Sequence, residues 1–363
     1  MKKGNPMATE RALALKAAAF GFGLLLAFSA TAAFTQLESI TADGHIWIYS
    51  GVKPTCTDRV EITFKAVSGS TATLYCSRGT TTSTSTFTAF IIKNGGNDSI
   101  RLDRNTTVSG PYVGLSLNET HTLVVDGSLR TKCKIDGASI AGDLAGGDFV
   151  PGSAFSLFAS HTRGTALSES TTLGNMANFG THTLYAFKVY SADGTLVADM
   201  VPARDDDAAD GTTAQYGLFD RIDHRFHKGL GTGAFTPGAQ VGETGALGRC
   251  ATTCTWIGSL GGKWSNAGNW ENGIRPEPGF KDMLSFDLAD GDIDCENDIE
   301  GLVISRLVTV NGTAERTFTL RGKGLTITEG NRSDNTSGSF VGAPLPAGLA
   351  ATISSRPSAL RIS

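Results

Sequence analysis

The chain has 363 residues, enough for two domains of ordinary size, each with its own core. Charged residues make up 18% of it and glycine occupies 45 positions, a composition typical of many short strands joined by tight turns. The 31 basic and 35 acidic residues are mixed along the chain and give a net charge of -4. No basic face is therefore available for nucleic-acid phosphates, and nucleic-acid binding is not expected.

The N-terminus has the pattern of an export signal. Basic residues precede an apolar run at 17–28, and the small-residue motif Ala30-Thr31-Ala32 follows it. The alternative is a retained membrane anchor, but an apolar stretch of about a dozen residues is shorter than the roughly 20 needed to span a bilayer. We predict a signal peptide at 1–33, no transmembrane helix after its cleavage, and a secreted or cell-surface location.

Residues 34–228 contain short segments of alternating polarity. In RVEITFKAV, Val60, Ile62, Phe64 and Ala66 share one face and polar side chains take the other, as in a strand with one wet side. Segments of the same kind recur, separated by turn residues. They predict an antiparallel β-sandwich. The segments are HIWIYSGV, ATLYC, FTAFIIKN, SIRLD, HTLVVDG, TKCKIDG, FSLFASH and HTLYAFKVY.

Two hairpins are predicted near the end of this block. In KVYSADGTLVADMV, Asp193-Gly194 can adopt the positive φ angles of a tight turn, and Pro202 is expected to end the second strand. YGLFDRIDHRFHKG predicts the other hairpin. Its histidines, His224 and His227, are interpreted as surface residues and not as a pair of metal ligands.

An acidic run follows the first hairpin. Asp205, Asp207 and Asp210 could gather a calcium ion, but the EF-hand pattern fails because Ala209 occupies a ligand position. A solvated loop is the favoured interpretation, since acidic runs in loops are usually hydrated. Calcium stays open as a possible cofactor, and no other cofactor is predicted.

Three stretches together carry a family resemblance: GHIWIYSGVKPTCTDRVEITFK, LYAFKVYSADGTLVADMVPARDDD and YGLFDRIDHRFHKG. They resemble the concanavalin A-like, laminin-G-like (LamG-like) modules of bacterial and phage surface proteins. The resemblance implies a two-sheet jelly roll that binds carbohydrate or mediates adhesion, sometimes with calcium at its rim. It transfers no individual ligand residue.

The segment 229–249 is rich in glycine and poor in core-forming side chains. It reads GLGTGAFTPGAQVGETGALGR. This composition predicts a flexible connector between two domains. The second domain would then start at Cys250.

After the connector, CTWIGSLGGKWSNAGNWENGIRPEPGFKDMLSFD resembles the tryptophan-containing segment that precedes β-solenoid repeats in bacterial autotransporter-like surface proteins. Brief strands with glycine or asparagine turns follow, with Phe318 and Leu320 expected to point inward. The block 250–330 is predicted to form a short β-solenoid-like or small-sheet domain. The tail 331–363, rich in Ser, Pro and Ala, is predicted to be disordered.

The tryptophans of this block have two interpretations. Exposed rings would stack on sugar faces, which makes Trp264 and Trp270 candidates for carbohydrate binding. Buried rings, together with Trp256, would cap the first turn of the solenoid. The cap is favoured because large aromatic side chains mostly serve as core.

The stretch Glu296-Asn297-Asp298-Ile299-Glu300 places three acidic residues at alternate positions. This spacing resembles the catalytic strand of retaining glucanases built on the concanavalin A-like fold. The resemblance implies Glu296 as nucleophile and Glu300 as acid/base, about 5 Å apart, with Asp298 between them. Catalysis is less favoured, because the motif lies outside the predicted sandwich and Asn297 replaces an expected apolar residue.

The six cysteines are disulfide candidates, because exported proteins meet oxidising conditions. Each half of the chain holds an odd number, so either one bridge joins the halves or thiols stay free. The spacing of the pair nearest the connector is not that of a zinc knuckle, and no zinc site is predicted. The candidates are Cys56, Cys76, Cys133, Cys250, Cys254 and Cys295.

These patterns favour an all-β, exported surface protein without catalytic activity. A jelly-roll sandwich would present loops to a glycan or cell-surface polymer, and the second domain would serve as a stalk. Two alternatives stay open: a retaining β-glucanase-type hydrolase that uses Glu296 and Glu300, and a ligand-free structural scaffold of the envelope.

Overall fold

The computed structural model confirms the predicted all-β class, with a large antiparallel sheet system and small parallel sheets. Within the described part of the chain, no helix has the length and apolarity needed to cross a bilayer. The predicted signal peptide lies outside the described residues. The described residues are 34–67, 71–79, 84–106, 111–128, 133–142, 144, 147–161, 167–206, 214–258, 261–288, 291–310, 317–328, 351–354 and 361–362.

The first block, residues 34–237, is built from nineteen described strands and one 3-10 turn at Leu173–Asn175. In chain order the strands are β1 (Phe34–Gln36), β2 (Ile40–Ala42), β3 (Ile46–Tyr49), β4 (Arg59–Lys65), β5 (Ala72–Ser77), β6 (Thr84–Asn94), β7 (Asn97–Thr106), β8 (Tyr112–Gly114), β9 (Thr120–Asp126), β10 (Lys134–Ile135), β11 (Ala138–Ser139), β12 (Ser156–Leu157), β13 (Ser160–His161), β14 (Met176–Ala177), β15 (Thr183–Tyr190), β16 (Leu196–Asp205), β17 (Tyr216–Asp220), β18 (Arg225–Gly231) and β19 (Phe235–Pro237).

Two antiparallel layers share one core. The first runs in the order β11-β10-β9-β4-β15-β16-β17. The second runs β8-β7-β6-β5-β12-β3. Strand β18 joins both, because its first half pairs with β17 and its last residues pair with β3. The two-layer arrangement is compatible with a jelly roll.

The alternation predicted for β4 is confirmed. Val60, Ile62 and Phe64 are fully buried, while the polar residues between them are only partly covered. Aromatic rings join the two layers: the Tyr75 ring on β5 lies 6.1 Å from the Phe187 ring on β15. Burial of this apolar surface is the main stabilising contribution to the sandwich.

The hairpin of β15 and β16 forms as predicted. Ser191 and Thr195 close its turn through an N–H to carbonyl bond of 2.9 Å, and Gly194 has a φ of 87°. The Asp193 carboxylate accepts the Thr195 N–H at 3.0 Å and therefore fixes the turn from within.

The prediction that Pro202 ends the second strand of this hairpin is wrong, since β16 continues to Asp205. Along one edge of β16, pairing with β15 extends as far as Met200 and pairing with β1 begins at Ala203. Pro202 sits at this change of neighbour, and its carbonyl accepts the Leu37 N–H at 2.8 Å. Proline is tolerated in a strand at positions where the sheet requires no N–H donor from that residue.

The glycine-rich segment 229–249 is not a flexible connector. It contributes the end of β18 and all of β19, which pairs with β2. Leu247 then donates its N–H to the Phe34 carbonyl at 3.0 Å. A Cβ on Gly229 would lie 2.5 Å from Ile46 Cδ1, so this glycine permits close packing. The segment is an integral part of the sandwich.

Within the described residues, the second block consists of short strands, most of them paired in parallel, and two 3-10 turns at Ala267–Asn269 and Glu271–Gly273. Its strands are β20 (Thr253–Trp256), β21 (Gly262–Lys263), β22 (Met283–Asp287), β23 (Ile293–Asn297), β24 (Leu302–Ile304), β25 (Arg306–Val310), β26 (Thr317–Gly322), β27 (Leu325–Ile327), β28 (Ala351–Ser354) and β29 (Arg361–Ile362).

Successive passes of the chain stack in three parallel sheets: β20-β22-β25, β21-β23-β26 and β24-β27. The passes are aligned, since Thr253, Met283 and Arg306 are consecutive partners across the first sheet. Phe318 and Leu320 point into the shared core, as predicted. We call this solenoid-like block the parallel stack.

The predicted disorder of 331–363 is wrong at two short segments. Strand β28 pairs antiparallel with β26, and β29 pairs with β28. Residues 329–350 lie outside the described part. At β26 the stack therefore changes from parallel to antiparallel pairing.

Candidate functional site

The sandwich and the parallel stack meet along a seam. We define the seam as the turn between β17 and β18 together with residues 249–253 and 280–283. Across it, Ala251 donates its N–H to the His224 carbonyl at 2.7 Å. The His224 ring lies 4.7 Å from the Phe280 ring. A backbone hydrogen bond and a ring contact thus join the two blocks directly.

An ion pair fixes the centre of the seam. The Arg249 guanidinium donates to both carboxylate oxygens of Asp282, at 2.7 and 2.8 Å. Asp282 is fully buried and also accepts the Thr252 N–H at 3.0 Å. Arg249 covers the Phe280 ring, 4.2 Å from its centre. A planar guanidinium held by two bonds and a ring has little freedom to move.

A second ion pair crosses the seam nearby. Lys281 Nζ lies 2.5 Å from an oxygen of Asp223, which belongs to the turn between β17 and β18. Lys281 has a φ of 51°, the left-handed conformation that non-glycine residues rarely adopt. Such backbone strain persists only where surrounding contacts hold it, as the neighbouring Asp282 pair does here.

A cleft of about 500 Å³ opens along the seam. Its walls include Tyr49, Arg225 and Phe226 from the sandwich. The opposite wall comes from the parallel stack and includes Lys281 and Arg306. The lining thus includes two aromatic residues together with residues whose side chains can donate hydrogen bonds.

A smaller hollow of about 200 Å³ adjoins this cleft. The two share Arg225, Lys281 and Ser305, so these residues form the partition between them. Asp223 and Thr328 complete the walls of the smaller hollow.

His227 is part of the cleft wall, and its interpretation as a surface residue is wrong. Its side chain is 8% exposed, and burial lowers its pKa to about 4. Its ring hydrogen-bonds with the backbone of Tyr49, whereas Nδ1 has no partner among the described residues. His224 is partly buried, and burial also lowers its pKa. At neutral pH the His227 ring is uncharged, and its Nδ1 is buried.

The proposed catalytic strand does not form. Strand β23 ends at Asn297, so Glu300 lies in the following turn and not on the strand that carries Glu296. Glu300 extends into solvent and pairs with Lys323 at 2.7 Å. Asp298 accepts the N–H and O–H of Ser265 at 2.8 and 2.6 Å. The three acidic residues are therefore not a row on one strand face.

The pKa of Asp298 lies below its ordinary value. Burial alone would raise it, but the hydrogen bonds from Ser265 outweigh burial and lower it. The neighbouring Asn297 is buried, and its amide donates to the carbonyls of Lys323 and Gly324 at 3.0 and 3.3 Å. The motif thus stabilises turns between successive passes of the stack.

The three tryptophans are buried, as the cap interpretation predicts. Trp264 and Trp270 are 0% and 1% exposed, with ring centres 5.9 Å apart. Trp256 contacts Trp270 edge-on at 5.1 Å, and both lie about the Phe286 ring. Stacking of a sugar on Trp264 or Trp270 is excluded in this arrangement, because their faces are covered by core side chains.

The six cysteines are free thiols, so the alternative without disulfides is the one found. Burial raises the pKa of Cys254 and Cys295 to about 12, and that of Cys133 and Cys250 to about 11. Burial also raises the pKa of Cys76. Such thiols stay protonated at neutral pH and behave as small apolar groups. Cys56 is partly exposed.

Of the calcium candidates, only Asp205 lies within the described residues, at the end of β16. Asp207 and Asp210 lie outside them. The adjacent Asp206 accepts hydrogen bonds from Thr35 and Arg204. Among the described residues, no group of three or more His, Cys, Asp or Glu side chains is arranged to hold a metal ion.

No protein-family model matches the sequence, and no curated protein shows significant similarity to it. The antiparallel two-layer architecture is compatible with the jelly roll that the LamG-like resemblance implies. Membership of that family, and of the autotransporter-like group suggested by the second block, stays a prediction.

Proposed function

We propose that the protein is a non-catalytic, exported surface protein that binds a glycan in the seam cleft. The observation that carries this proposal is a cleft of about 500 Å³ in which Tyr49 and Phe226 lie beside hydrogen-bonding side chains. Sugar rings present apolar C–H faces to aromatic side chains and hydroxyl groups to polar ones.

His227 lines the cleft and carries a buried nitrogen. Its Nδ1 has no partner among the described residues, and a neutral imidazole has one donor and one acceptor nitrogen. A buried polar atom without a partner costs free energy.

The sequence supports the location and the type of function. The N-terminal pattern is that of an export signal, and the LamG-like resemblance implies carbohydrate binding or adhesion. The autotransporter-like resemblance of the second block is consistent with a stalk at a cell surface. Catalysis by Glu296 and Glu300 is disfavoured, because Glu300 lies in a turn and pairs with Lys323.

A glycan-array screen of the full chain tests the proposal, with Tyr49→Ala as the site variant. We expect binding to at least one saccharide class and a loss of about tenfold in affinity for Tyr49→Ala, as at aromatic hot spots. Tyr112→Ala is the matched control, because Tyr112 is an exposed tyrosine on β8 and does not line the cleft. Circular dichroism checks that both variants are folded.

Failure of every saccharide to bind the folded wild-type chain would contradict the proposal. If such a chain also remained with the cell envelope, the ligand-free scaffold would be favoured instead. Equal losses in Tyr49→Ala and Tyr112→Ala would place the binding site elsewhere.

A further inference from the structure

We infer that the seam is an acid-sensitive joint, in which protonation of the His224 ring weakens the contact between the sandwich and the parallel stack. Each block has a hydrophobic core of its own, with Phe187 in the core of the sandwich and Phe286 in that of the stack. Separation of the blocks at the seam would therefore leave both cores intact.

His224 lies in the turn between β17 and β18 and contacts both blocks. Its ring lies 6.0 Å from the Phe219 ring of its own hairpin and 4.7 Å from the Phe280 ring of the stack. Its carbonyl accepts the Ala251 N–H at 2.7 Å. The ring and the backbone of this histidine thus both take part in the seam.

The His224 ring is placed in the seam in a way that favours its uncharged form. Its Nδ1 is buried and has no hydrogen-bond partner among the described residues. Both ring nitrogens of a protonated imidazole carry a hydrogen, so the charged ring would hold a buried N–H without an acceptor. A buried donor left without a partner costs free energy.

Charged groups face the ring from its own hairpin, from the residue that begins the second side of the seam and from the stack. Arg249 and Lys281 oppose its protonation, whereas Asp220 and Asp282 favour it. Burial is the largest influence, and together with the two cations it outweighs the two carboxylates. The pKa of His224 therefore lies below its ordinary value of 6.5.

The carboxylates near the ring are already held by other donors. Both oxygens of Asp282 accept hydrogen bonds from Arg249. One oxygen of Asp220 accepts two backbone N–H groups of the sandwich. Asp223 pairs with Lys281 across the seam. A charged imidazole would have to compete with these donors for a negative partner.

A charged ring would also meet a second cation at Phe280. Arg249 covers the Phe280 ring, 4.2 Å from its centre, and His224 contacts the same ring. Protonation would place two positive charges against one aromatic side chain, in a partly buried seam where charge interactions are stronger than in bulk water. With the blocks apart, water would hydrate the imidazolium instead.

Acid therefore shifts the equilibrium toward separated blocks. With the blocks apart the ring has its ordinary pKa of about 6.5, and in the seam its pKa is lower. Below about pH 6.5 the separated form binds more protons than the joined form. The joint is at full strength at neutral pH and weakens as pH falls, by up to about tenfold in its equilibrium constant per pH unit.

Hydrogen–deuterium exchange of the full chain measures this weakening at the Ala251 amide, which is bonded across the seam. Exchange is followed by mass spectrometry at pH 7 and pH 5 and corrected for the pH dependence of chemical exchange. We expect the protection of the peptide that contains Ala251 to fall about tenfold or more. Peptides from β23 should keep their protection, because residues 250–330 contain no histidine.

The variant His224→Asn removes the titrating ring. Asparagine tolerates the left-handed backbone that His224 adopts, with a φ of 49°. The loss of protection between pH 7 and pH 5 should disappear in this variant. His182→Phe is the control, because it removes a buried histidine that stacks on Phe158 within the sandwich, and it should retain the loss at Ala251.

Unchanged protection of Ala251 between the two pH values would overturn the inference. So would an equal loss in wild type and His224→Asn, a loss that disappears only in His227→Gln, or an equal loss in β23, which would indicate unfolding of the whole chain. If His224→Asn opens the seam at both pH values, nuclear magnetic resonance of the His224 ring protons in the wild type decides. A titration midpoint at or above 6.5 overturns the inference, and a lower midpoint with the loss at Ala251 supports it.

Discussion

At the scale of single residues, short polar motifs in this chain serve local structure. The E-x-D-x-E stretch resembles a catalytic strand. Asp298, however, accepts a hydrogen bond from the Ser265 hydroxyl, and Asn297 donates one to the Lys323 carbonyl in the turn after β26. Alternate spacing predicts a common face only while the backbone stays extended, and β23 ends at Asn297. Where a strand stops inside a motif, spacing alone gives the wrong chemistry.

A buried histidine makes the stability of the sandwich sensitive to acid. His182 is 2% exposed, stacks on the Phe158 ring at 4.6 Å, and has no partner for either ring nitrogen among the described residues. Burial lowers its pKa from 6.5 to about 3. Between these two values the unfolded chain binds more protons than the folded one. The free energy of unfolding therefore falls as pH falls through this window.

The variant His182→Phe removes this contribution. From pH 7 to pH 5 the wild type should lose about 2 kcal/mol more of its unfolding free energy than the variant. Urea denaturation at the two pH values measures the difference, and His45→Gln, a change at an exposed histidine, is the control. An identical pH dependence in wild type and His182→Phe would show that the burial of His182 does not control acid stability.

At the scale of elements, the sequence predicted the strands better than their partners. The alternation of β4 and the turn at Asp193-Gly194 are local signals, and both features form as predicted. The prediction of a flexible connector at 229–249 is wrong, because a glycine is compatible with either a flexible chain or close packing, and only the neighbouring residues decide which. At Gly229 the neighbour is the Ile46 side chain. The continuation of β16 through Pro202 likewise depends on where β1 pairs.

The joint between the segment 229–249 and the parallel stack depends on Arg249. In Arg249→Ala the buried Asp282 carboxylate loses its cation. The free energy of unfolding should fall by about 3 to 5 kcal/mol, as it does when one partner of a buried ion pair is removed. Arg321→Ala breaks the surface ion pair between Arg321 and Asp294, whose side chains are 50% and 34% exposed. This change should lower the free energy of unfolding by about 0 to 1 kcal/mol. Chemical denaturation of both variants gives the comparison. Equal, small losses would mean that the Arg249 pair does not hold the joint.

At the scale of the whole molecule, the candidate site exists only where the two blocks meet. Tyr49, Arg225 and Arg306 are far apart in sequence and line one cleft. No motif connects them, so the sequence could not reveal the site. The sequence patterns instead predict binding by the loops of the sandwich and a stalk in the second block. The joined arrangement makes the stack one wall of the cleft.

Photo-crosslinking tests the location of the binding site most directly. A saccharide that binds in the array is prepared with a photoreactive diazirine, bound to the full chain, irradiated, and mapped by mass spectrometry. The account predicts adducts on peptides that contain Tyr49, residues 225–227, Lys281 or residues 305–306, and their loss when unlabelled saccharide competes. Competed adducts found only in other parts of the sandwich, with none at the seam, would contradict it.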